Sequence, residues 1–554
     1  MNTKNLQARI CEHCNQNFTI NEEELVLYKK VGIELPVLCF FCRIKLHQSF
    51  WMFGKFRKGI SDLSGESLIT VLPEKNRYPI YTSLEWYSDK WDGVDYGMDY
   101  DETKPFLKQM QELQEKVPHP HQNGTKNTKC EWCDDVWNSK NCYLSRSLDT
   151  CEDLIYGYRN IQVKNSIDSI ICFNSEKCYD TQDCHHSFKL FYSRHSRDCI
   201  DSFFLFDCRN CQNCFMCWNL RNKSHCIENI QYTKEEYEKK IMSLNPGSYK
   251  SIQDFKGRFE EIIKKEAVHR QSFNFKTYNS NGEYLVNTKN CHNCHTISDS
   301  EDCYNLIRGF QLKSCIDSGG CWVSELTGNS SCCLYGYAEK YCLWSTSRYS
   351  EYLELCIECE NCFGCVGLKK KKYCILNKQY DKKSFEELRT KIISDMKKRG
   401  EYGKFFPYSM SAGPFNLSTS ILYFPDTKKE DILKLGGYWE DLKESNAEGV
   451  STSELPDNIN DVPDAIITQA LICPESGWRF NIAQNELSFY KENNIPLPRY
   501  HFDVRTRNAL KYLTVMQPYK YKCFYCKKEI EAYYLPEWNY QNIACEECYK
   551  QNIA

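Results

Sequence analysis

The residues best suited to chemistry are two sets of four cysteines near the ends of the 554-residue chain. The first set is Cys11, Cys14, Cys39 and Cys42, and the second is Cys523, Cys526, Cys545 and Cys548. In each set a C-x2-C pair lets one turn present two sulfur atoms, and the second pair can close a tetrahedral shell around a metal ion. The later set, C-x2-C-x18-C-x2-C, has the spacing of a structural zinc ribbon. We therefore predict two Zn²⁺ sites.

Cysteines in the middle of the chain form further candidate sites. Two runs of C-x2-C-x2-C-x2-C are Cys208, Cys211, Cys214, Cys217 and Cys356, Cys359, Cys362, Cys365. They approach the ferredoxin pattern but lack its last spacing and its proline, so an iron–sulfur or redox protein is one alternative. Buried thiols that pack as small hydrophobic side chains are another. Candidates for additional zinc are Cys130 and Cys133, and the CHNCH group of Cys291, Cys294 and His295.

Basic and aromatic residues lie beside both terminal cysteine sets. Near the first set they are Arg43, Lys45, Trp51, Phe53, Lys55, Arg57 and Lys58; near the second they are Arg505, Arg507, Lys520, Tyr521, Lys522 and Tyr525. Such surfaces can hold phosphates and stack bases, which favours RNA or DNA slightly over a protein partner. Alternatively, the aromatic residues belong to the core and the charges form an ordinary solvated face.

Catalytic motifs are not apparent in the sequence. It contains no GxxxxGK[ST], HExxH or GxSxG pattern, and a nucleophilic cysteine cannot be chosen among 35. The sequence therefore favours a non-enzyme: a zinc-binding protein that recognises a macromolecule or serves as a scaffold. A structural assembly subunit is a further alternative.

The composition describes a folded and nearly neutral chain. It has 71 Lys and Arg, 74 Asp and Glu, a net charge of −3 and 35 cysteines. The start, MNTKNLQARICEHC, resembles neither a signal peptide nor a membrane span, so we expect a cytoplasmic protein with reduced thiols and no membrane partner.

Five segments differ in composition, and we predict them as domains. They are an N-terminal zinc unit with an aromatic and acidic linker (1–120), a first cysteine-rich module plus helix (121–270), a second such module plus helix (271–400), a linker (401–460), and a degenerate copy of the N-terminal unit with a zinc ribbon (461–554). Thr233, three residues before Glu236, predicts the start of the first of these helices. The run DKKSFEELRTKIISDMKKR predicts the second.

Two internal similarities support this division. Residues 208–232 match residues 356–380 at an offset of 148, and residues 18–36 match residues 480–498 at an offset of 462. In the later copy Cys473 and His501 keep ligand positions, whereas Ser476 and Val504 replace the other two. This copy is therefore expected to keep its packing surface without a metal.

A finer period of twelve residues runs through both middle modules. From Cys130 it gives Cys142, Leu154, Ser166, Cys178, Leu190, Ser202, Cys214 and Cys226, none of them charged. The second module shows the same step with a one-residue slip between Cys315 and Cys362. Short apolar segments between Asn, Asp, Ser and Gly turns are typical of a stacked β-solenoid. We predict a multidomain, mainly β fold in which zinc-ribbon or treble-clef-like ends flank two β-solenoid-like repeat modules, each followed by a helix.

The chain resembles cysteine-rich zinc-ribbon proteins of candidate-phylum, small-genome bacteria. The stretches that carry the resemblance are FTINEEELVLYKK, EWYSDKWDGVDYG, CFMCWNLRNK, GPFNLSTSILYFPDTKKEDILKLGGYWED and FNIAQNELSFYKENNIPLPR. The resemblance implies a bacterial cytoplasmic setting and no particular activity.

Overall fold

The computed structural model describes residues 7–74, 77–441, 448–513 and 515–553. The described chain is mainly β, with 31% strand and 25% helix. It divides into two compact units that are each discontinuous in sequence: unit 1 is Met1–Gln122 with Ser272–Glu440, and unit 2 is Asn123–Gln271 with Asp441–Ala554. The five-segment division along the chain remains a prediction.

The first part of unit 1 contains short hairpins and helices. Its strands are β1 (Gln7–Ile10), β2 (Asn17–Ile20), β3 (Arg57–Ile60), β4 (Ser67–Thr70), β5 (Ile80–Tyr81) and β6 (His119–Pro120). Its helices are α1 (Glu22–Val31), α2 (Phe40–Gln48), α3 (Ser83–Tyr87) and α4 (Phe106–Gln114). A reciprocal capping box between Asn21 and Glu24 starts α1, and Gly32 in the left-handed conformation ends it.

The first part of unit 2 is a series of eleven short strands followed by two helices and one further strand. The strands are β7 (Cys133–Trp137), β8 (Ser145–Asp149), β9 (Glu152–Ile155), β10 (Tyr158–Ile161), β11 (Lys164–Ile170), β12 (Tyr179–Gln182), β13 (Phe188–Phe191), β14 (Ile200–Phe206), β15 (Gln212–Trp218), β16 (Ser224–Ile227), β17 (Ile230–Gln231) and β18 (His269–Arg270). The helices are α5 (Lys234–Met242) and α6 (Tyr249–Lys265). Thr233 and Glu236 form the predicted capping box of α5.

The second part of unit 1 is also a series of short strands followed by helices. Its strands are β19 (Phe275–Tyr278), β20 (Gly282–His292), β21 (Cys294–Ser298), β22 (Glu301–Tyr304), β23 (Ile307–Phe310), β24 (Gly319–Trp322), β25 (Thr346–Arg348), β26 (Glu351–Glu354), β27 (Ile357–Glu360), β28 (Phe363–Val366), β29 (Cys374–Ile375) and β30 (Lys378–Gln379). Its helices are α7 (Lys382–Lys398), α8 (Ser420–Tyr423) and α9 (Lys429–Lys434). The predicted helix after the cysteine-rich segment corresponds to α7.

The second part of unit 2 again contains hairpins and helices. Its strands are β31 (Val450–Ser451), β32 (Leu471–Ile472), β33 (Arg479–Phe480), β34 (Tyr519–Lys522), β35 (Glu529–Ala532) and β36 (Ile543–Ala544), and its helices are α10 (Gln484–Glu492), α11 (Phe502–Leu510) and α12 (Glu546–Asn552). No helix in the described ranges is long and apolar enough to cross a membrane.

Successive strands of the cysteine-rich segments pair in parallel with a twelve-residue register. In unit 2, Cys133 pairs with Ser145 and Cys214 pairs with Cys226. Residues with φ near +50° recur every third residue, for example Asn138, Asn141 and Leu144 at 52°, 52° and 47°. Asn adopts this left-handed conformation at lower cost than most residues, which explains the many Asn and Asp residues between the strands.

Every third residue of these segments points into the core. In unit 2 the core contains Cys142, Leu154, Ser166, Cys178 and Cys214, all at most 2% exposed. The twelve-residue column that contains these residues is therefore buried, as the absence of charged residues from it predicts. Inward serines link one layer to the next: Ser145 Oγ donates to the carbonyl of Tyr143 at 2.9 Å and accepts from Gly157 N at 2.9 Å.

In unit 1 the register is eleven residues between β19 and β20, and it shortens from twelve to eleven again at residues 337–343. Lys340 pairs with Glu351 and Leu343 pairs with Glu354. The buried carboxylate of Glu339 lies at this point and accepts a hydrogen bond from Ser347 N at 3.1 Å. An inward acidic side chain thus satisfies a backbone donor where the register changes.

Candidate metal centres

The first four-cysteine set converges in unit 1. Cys11 and Cys14 follow β1 in a tight turn in which Asn15 has a φ of 57° and donates its N–H to Cys11 O at 2.9 Å. Cys39 is the N-cap residue of α2, and Cys42 lies in the first turn of that helix. The four ligand atoms lie within 4.8 Å of one another and could hold a metal ion such as zinc.

The second set has the same local geometry in unit 2. Cys523 and Cys526 follow β34, and Lys527, with a φ of 62°, donates its N–H to Cys523 O at 3.0 Å. Cys545 is the N-cap residue of α12, which contains Cys548. These four ligand atoms also lie within 4.8 Å of one another. Cys545 N donates to Cys523 Sγ at 3.3 Å, so the backbone also orients the sulfur atom.

Electrostatics favour one thiolate in each group, since the pKa values of Cys39 and Cys523 are lowered whereas burial raises those of Cys14 and Cys545. The hydrogen bond with Cys42 lowers the pKa of Cys39 to about 5 and raises that of Cys42. Burial raises the pKa of Cys523, but backbone hydrogen bonds from Cys545 and Cys526 outweigh it and lower the pKa to about 6. Because helix N-termini stabilise negative charge, Cys39 at the start of α2 occupies a favourable position for a thiolate ligand, whereas burial raises the pKa of Cys545 at the start of α12.

In both cysteine groups a hairpin turn carries one pair of cysteines and a helix start carries the other, which we call a turn-and-helix arrangement. Unit 1 contains a third such arrangement, which lacks cysteines and was not predicted from the sequence. Hairpin β3–β4 has the same register as hairpin β34–β35 at an offset of 462. The four places taken by the second cysteine set are occupied by Ser61, Ser64, Thr82 and Glu85. Ser61 follows β3, Gly65 N donates to Ser61 O at 2.9 Å, and Thr82 is the N-cap residue of α3. The offset of 462 residues, applied beyond the matched stretch, would have aligned Ser61 and Ser64 with Cys523 and Cys526.

Hydrogen bonds to Glu85 hold this third arrangement together. Glu85 Oε2 accepts from Ser61 Oγ at 2.5 Å and from Thr82 N at 2.9 Å. Burial raises the pKa of Glu85, but hydrogen bonds from Ser61, Ser64 and Thr82 outweigh it and lower the pKa to about 2. The charged carboxylate therefore links the hairpin turn to the helix start.

The degenerate copy in unit 2 keeps the same backbone. Gly477 N donates to Cys473 O at 2.9 Å, and His501 is the N-cap residue of α11. Cys473 is 1% exposed, and the ring of His501 contacts Trp478 with centroids 5.3 Å apart. Within the described ranges, Cys473, Ser476, His501 and Val504 do not form a group of metal ligands.

The middle cysteines have packing roles in this structure. Cys208, Cys211, Cys214 and Cys217 are at most 1% exposed, and each thiol donates to the carbonyl two residues earlier, at 3.3 to 3.6 Å. Cys356, Cys359, Cys362 and Cys365 make the same contact at 3.4 to 3.6 Å. The C-x2-C spacing therefore coincides with the three-residue period of the inward positions.

The remaining candidate ligands are not brought into a metal-binding group either. Cys130, Cys133, Cys291 and Cys294 line the two cysteine-rich cores. His295 lies next to Cys294 on a strand, so the two side chains point to opposite faces, and His295 pairs with Glu283 and Ile307. Across the described chain, only the two terminal sets gather three or more ligand atoms closely enough to hold a metal.

Three residues of the expected basic and aromatic surface in unit 1 are buried. Arg43 forms an ion pair with Asp317 at 2.9 Å. Trp51 is 6% exposed and stacks on Trp344, and Phe53 is 2% exposed. The prediction that Trp51 and Phe53 stack on bases was wrong, because both rings pack in the core of the unit.

The other predicted contacts of unit 1 differ in exposure. Lys45 is half-buried with its Nζ 5.0 Å from the ring centroid of Phe424, and Lys55 is also half-buried. Arg57 makes two hydrogen bonds to Glu440 at 2.8 and 2.9 Å, whereas Lys58 is exposed.

In unit 2 the predicted basic residues differ in pairing and exposure. Arg505 binds both carboxylate oxygens of Asp168 at 2.8 and 3.1 Å, and Arg507 is half-buried. Lys520 and Lys522 are exposed, and the residues directly opposite them in the hairpin register are Glu531 and Glu529. Positive charge at this hairpin is therefore partly neutralised.

The two aromatic residues of that hairpin are half-buried. Tyr521 donates its hydroxyl to the carbonyl of Tyr534 at 2.7 Å. Tyr525 contacts the ring of Phe524, with centroids 4.9 Å apart. Each ring therefore offers only part of its surface to a ligand.

Comparison with known proteins adds no assignment: the chain matches no protein-family model and no curated protein sequence.

Proposed function

We propose that both four-cysteine groups bind Zn²⁺ and that the metal stabilises the fold. The observation that carries this proposal is the convergence of four sulfur atoms at each group. Cys14 Sγ and Cys39 Sγ are 3.7 Å apart, and Cys526 Sγ and Cys545 Sγ are 3.8 Å apart. A tetrahedral shell with zinc–sulfur bonds of about 2.3 Å sets its sulfur atoms about 3.8 Å apart.

The donor set also favours a structural role for the metal. Four thiolates leave no open position for water or a substrate, whereas catalytic zinc sites keep one. Each group closes a small hairpin onto the start of a helix, which would have little apolar core of its own. The cysteine-rich segments are best explained as β-solenoids of twelve residues per turn, a proposal supported by their parallel register.

The proposed function is recognition of a macromolecule by a zinc-stabilised scaffold, with single-stranded nucleic acid as the first candidate partner. Lys527 and Lys528 are exposed beside the second metal centre, and Lys58 is exposed on hairpin β3–β4, which supports binding to an anionic partner. The redox alternative has less support, because the middle cysteine runs on which it depends are buried.

Replacing Cys523 and Cys526 with Ser tests the structural role. About one equivalent of zinc should be released, and hydrogen exchange should increase around β34, β35 and α12, because metal binding and folding are coupled. The matched control replaces Cys208 and Cys211, which should leave the zinc content unchanged. Equal zinc loss in both variants, or in neither, would contradict the proposal.

A further inference from the structure

One column of outward-facing side chains in unit 2 is dominated by flat and basic groups. Parallel bridges join Phe173, His185, Arg197, Arg209 and Arg221, each twelve residues from the next. Neighbouring strands lie about 4.8 Å apart, so the three arginines occupy successive layers. The rings of Phe173 and His185 stack with centroids 4.7 Å apart and an angle of 8° between their planes.

Another column of the same stack shows how charges are usually arranged there. Lys140, Glu152, Lys164 and Glu176 occupy successive layers and alternate in sign. Glu152 lies 3.0 Å from Lys140 Nζ and 4.0 Å from Lys164 Nζ. Like charges on directly opposite residues destabilise a sheet, so three successive arginines need a compensating anion.

Asp207 is the central anion available within the unit. It is 1% exposed and lies 3.4 Å from Arg221, 3.5 Å from Arg270 and 3.9 Å from Arg209. The same carboxylate also accepts hydrogen bonds from Tyr549 and Asn219. Its acceptor capacity is therefore shared among five groups.

Positive charge remains in excess around Asp207. Arg197 Nε is 3.7 Å from Asp198, so among the described residues the three arginines of the column have two carboxylates within ion-pair distance, and one of these, Asp207, is shared with Arg270. The Nε atoms of Arg209 and Arg221 are buried without a hydrogen-bond acceptor. Side chains of Arg197 and Arg209 are 39% and 33% exposed, so a ligand can reach them.

We propose that the arginine column, Arg197, Arg209 and Arg221 together with Arg270, binds the phosphates of a single-stranded nucleic acid. Guanidinium groups match phosphate oxygens with paired hydrogen bonds, and a row of them can follow successive phosphates. Phe173 and His185 continue the same column with flat rings, which suits unpaired bases better than an acidic peptide. This proposal deepens the recognition function and rests on it, but it does not depend on the identity of the metal.

Fluorescence anisotropy of the full-length protein with a labelled oligouridylate of about twelve nucleotides tests the site. The variant Arg197→Gln with Arg209→Gln removes the two more exposed guanidinium groups and leaves Arg221 on Asp207. Affinity at low salt should fall tenfold or more. The slope of log K against log salt should fall by about 1.4, since each phosphate contact on a single strand contributes about 0.7.

The matched control is Lys140→Gln with Lys164→Gln, which removes two exposed positive charges from the alternating column. Its affinity should stay within twofold of the wild type. Arg209→Lys should retain part of the binding, and thermal unfolding should confirm that all variants are folded. Equal weakening by both double variants would overturn the arginine column while leaving nucleic-acid recognition intact.

Competition experiments separate the remaining outcomes. Each competitor is added at the same concentration of anionic groups as the oligouridylate. If inorganic phosphate displaces the oligouridylate, the site binds free phosphate and the nucleic-acid proposal is wrong. If polyglutamate displaces it, the site binds an acidic protein and the proposal is likewise wrong. If the wild type binds no oligonucleotide at low salt, both this site and nucleic acid as the first candidate partner are wrong.

Discussion

Arg43 and Asp317 form an ion pair of 2.9 Å whose side chains are only 6% and 1% exposed. The pair fastens helix α2, which carries the first metal centre, to the parallel strands of unit 1. Arg505 and Asp168 form a corresponding pair of 2.8 Å in unit 2. In each unit, an ion pair between an arginine and an aspartate thus joins the helix of a turn-and-helix arrangement to the cysteine-rich segment.

Asp317→Ala should strongly destabilise unit 1. The change leaves Arg43 buried without its carboxylate and removes the acceptor of the Tyr28 hydroxyl, which should cost about 3 to 5 kcal/mol. Denaturant unfolding followed by tryptophan fluorescence measures the loss. Glu387→Ala, on the exposed face of helix α7 in the same unit, should cost less than about 0.5 kcal/mol. Similar losses in the two variants would show that the ion pair does not fasten the helix.

A third metal site should appear when cysteines replace Ser61, Ser64, Thr82 and Glu85. Their backbone already has the turn and helix start of the cysteine centres, so four thiols would converge there. Elemental analysis should give three zinc ions per chain for this variant against two for the wild type. The variant with cysteines at Ser61 and Ser64 alone should stay near two, since two thiols cannot complete the shell. Two zinc ions in the four-cysteine variant would contradict the equivalence of these places.

Local spacing in the sequence predicted the metal centres because each pair of cysteines is positioned by one turn or one helix start. Similarly, the uncharged twelve-residue column predicted which side chains are buried. The burial of Trp51 and Phe53 could not be predicted in this way, because it depends on contacts with residues far away, such as Trp344. The role of Glu85 was also hidden, since a carboxylate held by serine and threonine shares no motif with four cysteines.

Glu339 should make stability depend on pH. Burial raises its pKa to about 7, above the unfolded value of about 4.3, so the folded state binds the proton more tightly. The contribution of Glu339 to the free energy of unfolding is fully present below the unfolded pKa and is lost as the pH rises through about 7. Between pH 5.5 and 8.5 the free energy of unfolding should fall by about 2 kcal/mol more in the wild type than in the Glu339→Gln variant. Denaturant unfolding across this range checks the difference, and parallel pH profiles would show that Glu339 does not titrate as a buried group.

Metal analysis combined with an absorption spectrum of anaerobically purified wild-type protein tests the central claim most directly. Two closed four-thiolate centres predict about two zinc ions per chain and a colourless protein, because Zn²⁺ is a d¹⁰ ion. Iron with absorption near about 400 nm would instead indicate a cluster built from the cysteines. That result, or a protein that contains no zinc, would contradict the account.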